Sequence, residues 1–322
     1  MKNILITGGA GYIGSHIVEQ LVKKNFLNIF IVDDLSTGHK RLINKRAKFI
    51  KADINKTKLI KKIILDNEID TIIHLAAKTI VTESELKPKL YYKVNVLGTK
   101  SLLNAAKDTL VKNFLFSSTA AVYGSKIRYV NENSKTLPDS VYGETKLQAE
   151  NLVKKLFKKN YIILRYFNVV GASPSKKIGL INKYGQLFKN FSLQILKKQP
   201  KFSVYGNDYN TKDGTCIRDF IHVSDLADIH LKVLFKASKK NQSTVLNCGY
   251  GKGFSVLEVV NNFKKFSKNK VRVRFENRRT AEIIESVANV SKLKKYLNWK
   301  PKFFNLNKMI KNSIDWEKRL TK

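Results

Sequence analysis

Apolar residues fall in short blocks along this chain, and the blocks alternate between two spacings. Residues 2–7 (KNILIT), 28–32 (NIFIV), 48–52, 70–75 (DTIIHL), 113–117 (NFLFS) and 161–165 (YIILR) read as short strands, most of them continuous enough to be buried on both faces. Between them, Tyr12–Lys24, residues 89–107 and Tyr142–Lys159 carry apolar residues at helical spacing. Strands alternating with helices predict an α/β fold with a parallel, doubly wound sheet, whose ligands sit at the carboxyl ends of the strands. After Asn168 the alternation breaks down into short mixed elements, with turn signals at Gly206-Asn207-Asp208 and Asp213-Gly214. The expected division is a first domain over 1–167, to which segments around 220–260 return, and a smaller α/β domain over 168–322.

Chemistry enters at the first strand–helix junction, Thr7-Gly8-Gly9-Ala10-Gly11-Tyr12-Ile13-Gly14. Glycines at 8, 11 and 14 allow unusual backbone angles and a close approach to a pyrophosphate, which the amino end of the following helix favours. Asp33, followed by Asp34, ends the second strand 25 residues after Gly8. A carboxylate there accepts hydrogen bonds from ribose hydroxyls and repels a 2′-phosphate, so the junction predicts a Rossmann-type domain that takes NAD rather than NADP. A plain tight turn is the alternative, and the strand before it, the helix after it and the acidic residue all argue against that.

Tyr142 and Lys146 stand at i and i+4 in Tyr142-Gly143-Glu144-Thr145-Lys146. On a helix they share a face, with Cβ atoms about 6 Å apart. A phenol with an ordinary pKa of about 10 is a poor base at neutral pH, and a neighbouring ammonium is expected to lower that value. In a Lys-rich chain the spacing arises easily by chance. Its place on the helix after the fifth strand, behind a glycine-rich turn, gives it weight, as does the hydroxyl run Ser117-Ser118-Thr119 at that strand's end.

Composition narrows the function classes. The 322 residues carry 61 Lys and Arg against 25 Asp and Glu, a net charge of +36. That excess alone suggests nucleic acid, anionic lipid or an anionic substrate. Yet only 10 of the 61 are Arg, and with 29 Asn the Lys and Asn residues form a quarter of the chain. Readers of nucleic acid favour Arg for bidentate contacts. The lysine clusters, such as Lys61-Lys62, Lys154-Lys155, Lys158-Lys159, Lys176-Lys177 and Lys239-Lys240, are scattered. The pattern reads as a compositional bias on solvated faces, with no nucleic-acid partner expected. Two cysteines, Cys216 and Cys248, are too few for a disulfide framework or a Cys-rich zinc site. His16, His74, His222 and His230 lack ligand-like partners at metal spacing, so they read as packed residues and no metal is expected. No run approaches the roughly 18 apolar residues of a spanning helix, and the first apolar run begins at residue 2, which predicts no membrane span, no export leader and a cytoplasmic protein.

With these features in place, the chain resembles the extended short-chain dehydrogenase/reductase family, and within it the UDP-sugar 4-epimerases. The likeness runs over nearly the whole chain: ITGGAGYIGSH (6–16), DDLSTG (33–38), AAKTIVTES (76–84), FSSTAAVYG (116–124), YGETK (142–146), RYFNVVGA (165–172), YGNDYNTKDGT (205–215), RDFIHVSDLAD (218–228), LNCGYGKGFSV (246–256) and Trp299-Lys300-Pro301. The glycine turn and the Tyr–Lys pair are widely shared, whereas the RYFN and NDYNTKDGTCIRDFIHV segments are particular to the epimerases.

The resemblance implies a role for each matching position. Gly8, Gly11, Tyr12, Ile13 and Gly14 form the pyrophosphate turn, Asp33 and Asp34 meet the adenosine ribose, Asp53 and Ile54 meet the adenine, and Lys78, Asn95 and Tyr166 line the cofactor. Tyr142 is the base, Lys146 its electrostatic partner, and Thr119 the hydroxyl bridging Tyr142 to the sugar. Tyr166, Phe167 and Asn168 line the sugar pocket, while Asn168, Arg218 and Arg279 hold the UDP. Two departures stand out. Arg279-Thr280-Ala281-Glu282 replaces the family's Arg-Glu-Gly-Asp, so the acid on the uridine ribose is Glu282, and Gln186-Leu187 is the nearest match to the usual Asn-Asn-Leu of the nucleotide clamp.

The implied reaction interconverts UDP-glucose and UDP-galactose. Tyr142 takes the 4-hydroxyl proton as C4 gives up a hydride, the 4-keto sugar turns over while its UDP stays held, and both return on the other face, with NAD retained. Ser286, seven residues after Arg279, stands where a bulky residue excludes N-acetyl groups in relatives, so UDP-GlcNAc and UDP-GalNAc are expected substrates as well. A dehydratase or a decarboxylase needs acid–base groups after the Ser/Thr, where this chain has Ala120-Ala121. A non-catalytic NAD-binding regulator or RNA-binding protein has no use for Tyr142, Lys146 and Thr119 together. The resemblance also implies a homodimer through helices around 89–107 and 146–159.

Overall fold

Asn3–Thr7 forms the first strand because all but one of its residues are fully buried apolar or hydroxyl side chains. The computed structural model describes residues 3–25, 28–125, 128–182, 186–239, 242–279 and 282–321. In chain order the elements are β1 (Asn3–Thr7), α1 (Tyr12–Lys23), β2 (Asn28–Asp33), β3 (Lys48–Lys51), α2 (Thr57–Asp66), β4 (Thr71–His74), α3 (Val81–Leu86), α4 (Pro88–Tyr91) and α5 (Gly98–Ala106). They continue with β5 (Asn113–Thr119), β6 (Tyr129–Val130), α6 (Val141–Leu156), β7 (Asn160–Tyr166), β8 (Asn168–Val170), α7 (Leu187–Ile195), β9 (Lys201–Tyr205), β10 (Ile217–His222) and α8 (Val223–Lys239). The last are β11 (Thr244–Cys248), β12 (Gly253–Ser255), α9 (Val256–Lys264), β13 (Arg272–Glu276), β14 (Glu285–Ala288), α10 (Ser291–Leu297) and α11 (Leu306–Leu320).

The chain separates into two compact units. One holds the residues up to Val122, Thr136–Tyr166 and Ala227–Leu246; the other holds Tyr123–Lys135, Phe167–Leu226 and everything from Asn247 onward. The first unit is built on a seven-stranded sheet in the order β11-β7-β5-β4-β1-β2-β3, with β7 through β3 all parallel. This is the expected doubly wound α/β sheet. The order reverses between β1 and β4, which puts the carboxyl ends of those two strands at a topological switch point. Leu5, Phe30, Ile72, Phe114 and Ile163 from successive strands pack with Ile60, Leu102, Val153 and Phe157 of the crossover segments in one apolar layer.

Two predicted helices differ in detail. The segment 89–107 is not uniform: α4 opens on Pro88, a π-helical stretch follows over Tyr92–Leu97, and α5 completes it. The π stretch admits an extra residue per turn and brings Asn95 into the interior. Helix α6 ends at Leu156 rather than Lys159, because Phe157 leaves helical geometry to bury its ring against Phe114. The predicted start of β1 at Lys2 lies outside the described residues.

The second unit has a sheet in the order β12-β10-β14-β6, with β8 also paired to β10, and a separate β13–β9 pair. Its core gathers Phe188, Phe191, Phe202 and Phe263, with Phe191 and Phe202 stacked at 4.1 Å. Helices α7 and α11 are joined by a buried ion pair, Lys189 donating to both Glu317 oxygens at 2.7 Å and also to the Leu180 carbonyl. Among the described residues, no helix is long and apolar enough to cross a membrane. No group of His, Cys, Asp and Glu among them could hold a metal ion.

Removing one partner of a buried pair strands the other charge. Lys189→Met is expected to destabilise the fold by about 3–5 kcal/mol in urea denaturation, and Glu317→Leu in the same protein to recover most of the loss. Equal stability of Lys189→Met and the parent would refute the buried-charge account.

Candidate active site

At the carboxyl end of β1 the chain turns on Gly8, whose φ is +75° and whose added Cβ would lie 2.6 Å from the Ala76 amide nitrogen. An added Cβ on Gly14 would fall on the Gly8 carbonyl oxygen, so the helix and turn fit together only without side chains at either place. Gly11 is less constrained and is the N-cap of α1, with no side chain capping the helix that Tyr12 and Ile13 begin.

Asp33 knits this turn to the loop after β2. Its carboxylate is 7% exposed and accepts the Ala10 amide at 3.1 Å and the Leu35 amide at 2.9 Å. Burial pushes its pKa up, and the two amides and His39 pull against that. Asp34 accepts the Ser36 amide, and Asp53 holds the Asn55 amide and side chain. Ile54 is buried under Gly98 of α5.

The side chain of Asn95 is fully engaged with protein. It brackets the backbone of Lys78 through its amide (2.8 Å) and carbonyl (3.1 Å), and donates to Thr145 on α6. Lys78 is therefore held from behind by Asn95. Beneath the turn, His74 joins Thr7 (2.7 Å) to Thr99 (3.0 Å), and burial with the Lys146 charge pushes it down to about 3.

Helix α6 carries Tyr142 and Lys146 on the face toward the sheet. Ser140 caps it through the Gly143 amide, Ser84 accepts the Tyr142 amide at 3.0 Å, and Glu85 accepts the Val141 amide at 2.9 Å. The Thr119 hydroxyl at the end of β5 acts on the Tyr142 phenol, and the Tyr91 ring packs edge-on against it at 6.5 Å. Lys146 is 3% exposed, with its Nζ 4.3 Å over the Phe116 ring. Tyr166, opposite Thr119 in the β5–β7 register, shares a 2.7 Å hydrogen bond with His230.

The neighbouring ammonium does not lower the Tyr142 pKa as the helical spacing predicts. The chain's own groups do not lower the Tyr142 pKa: burial pushes it up to about 12, against the pull of the Thr119 hydrogen bond. Lys146 moves the same way in physical terms, since burial pushes it down to about 7 against the pull of Glu150. Both groups are poised toward their neutral forms, so the pair is sensitive to any added charge.

The second unit gathers another cluster. Arg218 on β10 pairs with Glu282 at 2.6 Å, and Ser286 on β14 lies opposite Arg218 in register. Arg279 sits 3.9 Å from Glu282 and 3.8 Å over the Tyr205 ring. Asn168 is exposed at the start of β8, Phe167 is buried, and Gln186 is the N-cap of α7 with Leu187 its first residue. Thr280 and Ala281 lie outside the described residues. Of the histidines, His16 bonds the Tyr12 carbonyl and His222 stacks on Phe303 and accepts the Ser224 amide. Both cysteines are free and buried.

Ser84, Glu85, Tyr91 and Ser140 escape a reading of the sequence. A Ser immediately before the Val-Tyr-Gly that opens α6 is a capping signal for Ser140; nothing local marks the other three.

The family model described as the NAD-dependent epimerase/dehydratase family matches residues 4–249. The chain belongs to this family. It is 39% identical to UDP-glucose 4-epimerase of Lactobacillus helveticus, covering 98% of this chain and 97% of that protein. The crystal structure of UDP-glucose 4-epimerase from Stenotrophomonas maltophila, with bound NAD and formylated UDP-arabinopyranose, superposes with a TM-score of 0.94 at 33% identity, over 100% of this chain and 99% of that one. The UDP-Glc/GlcNAc 4-epimerase of Campylobacter jejuni gives a TM-score of 0.85 at 38% identity, over 99% and 100%.

The depressed Lys146 has a consequence for stability. Its folded pKa, about 7, lies below its ordinary value of 10.5, so the unfolded chain binds more protons between those two pH values. The burden on the fold is therefore complete below pH 7 and fades as pH rises toward 10.5. Lys146→Met is expected to raise stability by on the order of a few kcal/mol at neutral and acidic pH, with the gain vanishing in alkali. Urea denaturation across that range checks both the sign and the fade; a gain that grows with pH would contradict the account.

Proposed function

We propose that this protein is a UDP-glucose 4-epimerase that keeps NAD bound and interconverts UDP-glucose and UDP-galactose. The observation that carries this reading is the convergence of Tyr142, with the Thr119 hydroxyl acting on its phenol, the buried Lys146 and the side-chain-free turn at Gly8 and Gly14 on the carboxyl edge of one parallel sheet. The turn fits a dinucleotide: without side chains at Gly8 and Gly14 it packs tightly against the start of α1 and the end of β4, which leaves the amino end of α1 open to a pyrophosphate in this reading. Asp33 keeps acceptor capacity for ribose hydroxyls beyond its two amide bonds. Gly11, Tyr12 and Ile13 complete the phosphate turn in this reading, Asp34 supports the ribose, Asp53 and Ile54 the adenine, and Lys78, Asn95 and Tyr166 the nicotinamide half. The first unit is thus the NAD-binding domain.

Bound NAD supplies the acceptor and then the donor of the hydride exchanged at the sugar C4. Tyr142 takes the proton from the 4-hydroxyl oxygen and later returns it, with Thr119 linking the phenol to that hydroxyl. Lys146 as an ammonium favours the phenolate. The positive charge of an oxidised nicotinamide pushes in the same direction, which answers the high pKa that burial alone gives Tyr142. The second unit grips the substrate: Arg218 and Arg279 take the diphosphate through charge-assisted bonds, Glu282 the uridine ribose, and Phe167, Asn168, Gln186 and Leu187 the rest of the nucleotide and sugar. Holding UDP firmly leaves the sugar free to present either face.

Ser286 is small and half-buried beside Arg218, which favours room for an N-acetyl group. The 38% identity to an epimerase named for both UDP-Glc and UDP-GlcNAc supports the same extension. The protein is further read as a cytosolic homodimer, for which the exposed Tyr92, Leu97 and Leu156 supply apolar surface on the two helices concerned.

Purified protein given UDP-galactose and no added NAD is expected to form UDP-glucose, and to convert UDP-GlcNAc as well. No conversion of either sugar with NAD supplied would overturn the reading. Tyr142→Phe should keep its NAD and lose about 10²–10⁴-fold in kcat, as expected for a lost general base. Gly14→Ala should lose NAD, measured by the nucleotide released on denaturation.

A further inference from the structure

Helix α6 places a third ionisable group in line with Tyr142 and Lys146. Glu150 follows Lys146 by four residues and is 0% exposed. Arg165 of β7 grips it with two bonds, Nε to Oε1 at 2.9 Å and NH2 to Oε2 at 2.7 Å. Ser118 of β5 donates to Oε1 at 2.5 Å. Ser118 and Arg165 face each other in the β5–β7 register, one row below Thr119 and Tyr166. The carboxylate therefore pins α6 to β5 and β7 directly beneath the row that carries Thr119.

We propose that Glu150 is a positioning residue for catalysis: fixed by Arg165 and Ser118, it sets the face of α6 against Thr119 and provides the negative charge that keeps Lys146 an ammonium. This rests on the epimerase reading of the same site. A buried ion pair is weak evidence of stabilisation, because two well-packed apolar residues serve the fold as well. Its location behind a buried lysine gives it another use.

The charges around Lys146 support this assignment. On α6 it lies one turn from both Tyr142 and Glu150; on β4 His74 feels its charge, and burial keeps that ring neutral; from β5 it has the Phe116 ring; and Arg165 of β7 is committed to Glu150. The π-helical stretch offers only the neutral Asn95–Thr145 contact, and Glu83 on α3 is turned to Tyr91 and Lys87. Glu150 is the carboxylate that acts on Lys146, and the other group favouring a cation is the Phe116 ring. Burial pushes the Glu150 carboxyl up, but the Arg165 hydrogen bonds and charge and the Ser118 bond outweigh it, so it stays ionised. Lys154, 3.6 Å away at the helix surface, adds to that.

The test compares Glu150→Gln with a double variant, Glu150→Leu with Arg165→Met, which removes both charges and can pack as an apolar pair. Two quantities are read: the pH profile of kcat with UDP-galactose, and the titration of Tyr142 by ultraviolet difference absorbance against Tyr142→Phe. In both variants the acid limb of kcat and the phenol titration are expected to move up by about one pH unit, with about a tenfold fall in kcat at neutral pH and little change in KM. A folded double variant with the parent's acid limb and phenol titration would reduce Glu150 to a structural role and overturn the proposal. Should neither charge variant fold, Ser118→Ala removes a single bond to Glu150 and must show the same shift at smaller size; an unshifted profile there also overturns it. A parent protein that turns over no UDP-sugar defeats the epimerase reading instead, and the phenol titration still decides the role of Glu150.

Discussion

The burial of an ammonium against an apolar sheet is the constraint on which the rest of the first unit depends. Lys146 lies within the layer formed by Phe116 and its neighbours, where a charge is poorly solvated. Such a group persists only where nearby charge and polarisable surface favour it, and the structure supplies both from fixed elements. The same low polarity that disfavours the ammonium also raises the pKa of the Tyr142 phenol, so both groups lean toward their neutral forms. A lysine in water would hold its proton easily and influence Tyr142 little.

That arrangement demands rigidity, and it is obtained by polar clips between sequence-distant segments. Ser84 and Glu85 of α3 hold the first amides of α6, Glu150 holds its middle to β5 and β7, and Asn95 holds both Thr145 and the backbone of Lys78. The π-helical stretch belongs to the same scheme: without its extra residue Asn95 would rotate off the face that meets Lys78 and Thr145. Geometry within an ångström matters for proton transfer, and none of these clips touches the reacting atoms.

What could be read from the sequence divides along the same line. Buried parallel strands announce themselves as apolar runs, so β1, β2, β4, β5 and β7 were legible, as was their doubly wound order. The Tyr142–Lys146 pair and the Gly8-to-Gly14 turn were legible because each is local, its partners set by helical spacing or by adjacent residues. The clips were not. Ser84 with Tyr142, Tyr166 with His230 and Glu150 with Arg165 are joined by the winding of the sheet across 58, 64 and 15 residues. The π stretch was hidden for a different reason: one extra residue barely disturbs an apolar period read over two turns. The weaving of Tyr123–Lys135 into the second unit likewise follows from strand pairing, which composition does not record.

The lysine excess acquires a physical meaning from the interior. Among the described residues only Lys146, Arg165 and Lys189 are buried cations, while Asp33, Glu150, Asp219, Asp225 and Glu317 are buried acids. A chain of net charge +36 thus has an interior with more acids than bases. Each buried acid is held by backbone amides, a hydroxyl or a cation: Asp219 takes the amides of Tyr250, Gly251 and Ala288, and Asp225 takes those of Lys302 and Phe303 with the Tyr250 hydroxyl. Backbone amides let Asp219 and Asp225 be buried without a counter-charge, whereas both buried lysines stand beside a carboxylate. A drift in composition toward lysine is therefore admitted at the surface and refused inside, except where an acceptor already stands. Lys189 meets that condition through Glu317 of α11 and the Leu180 carbonyl. Lys146 meets it only through Glu150 and an aromatic face, which is a weaker hold. A weakly held ammonium beside a phenol is what a proton-transfer site requires, which is the role proposed for this pair.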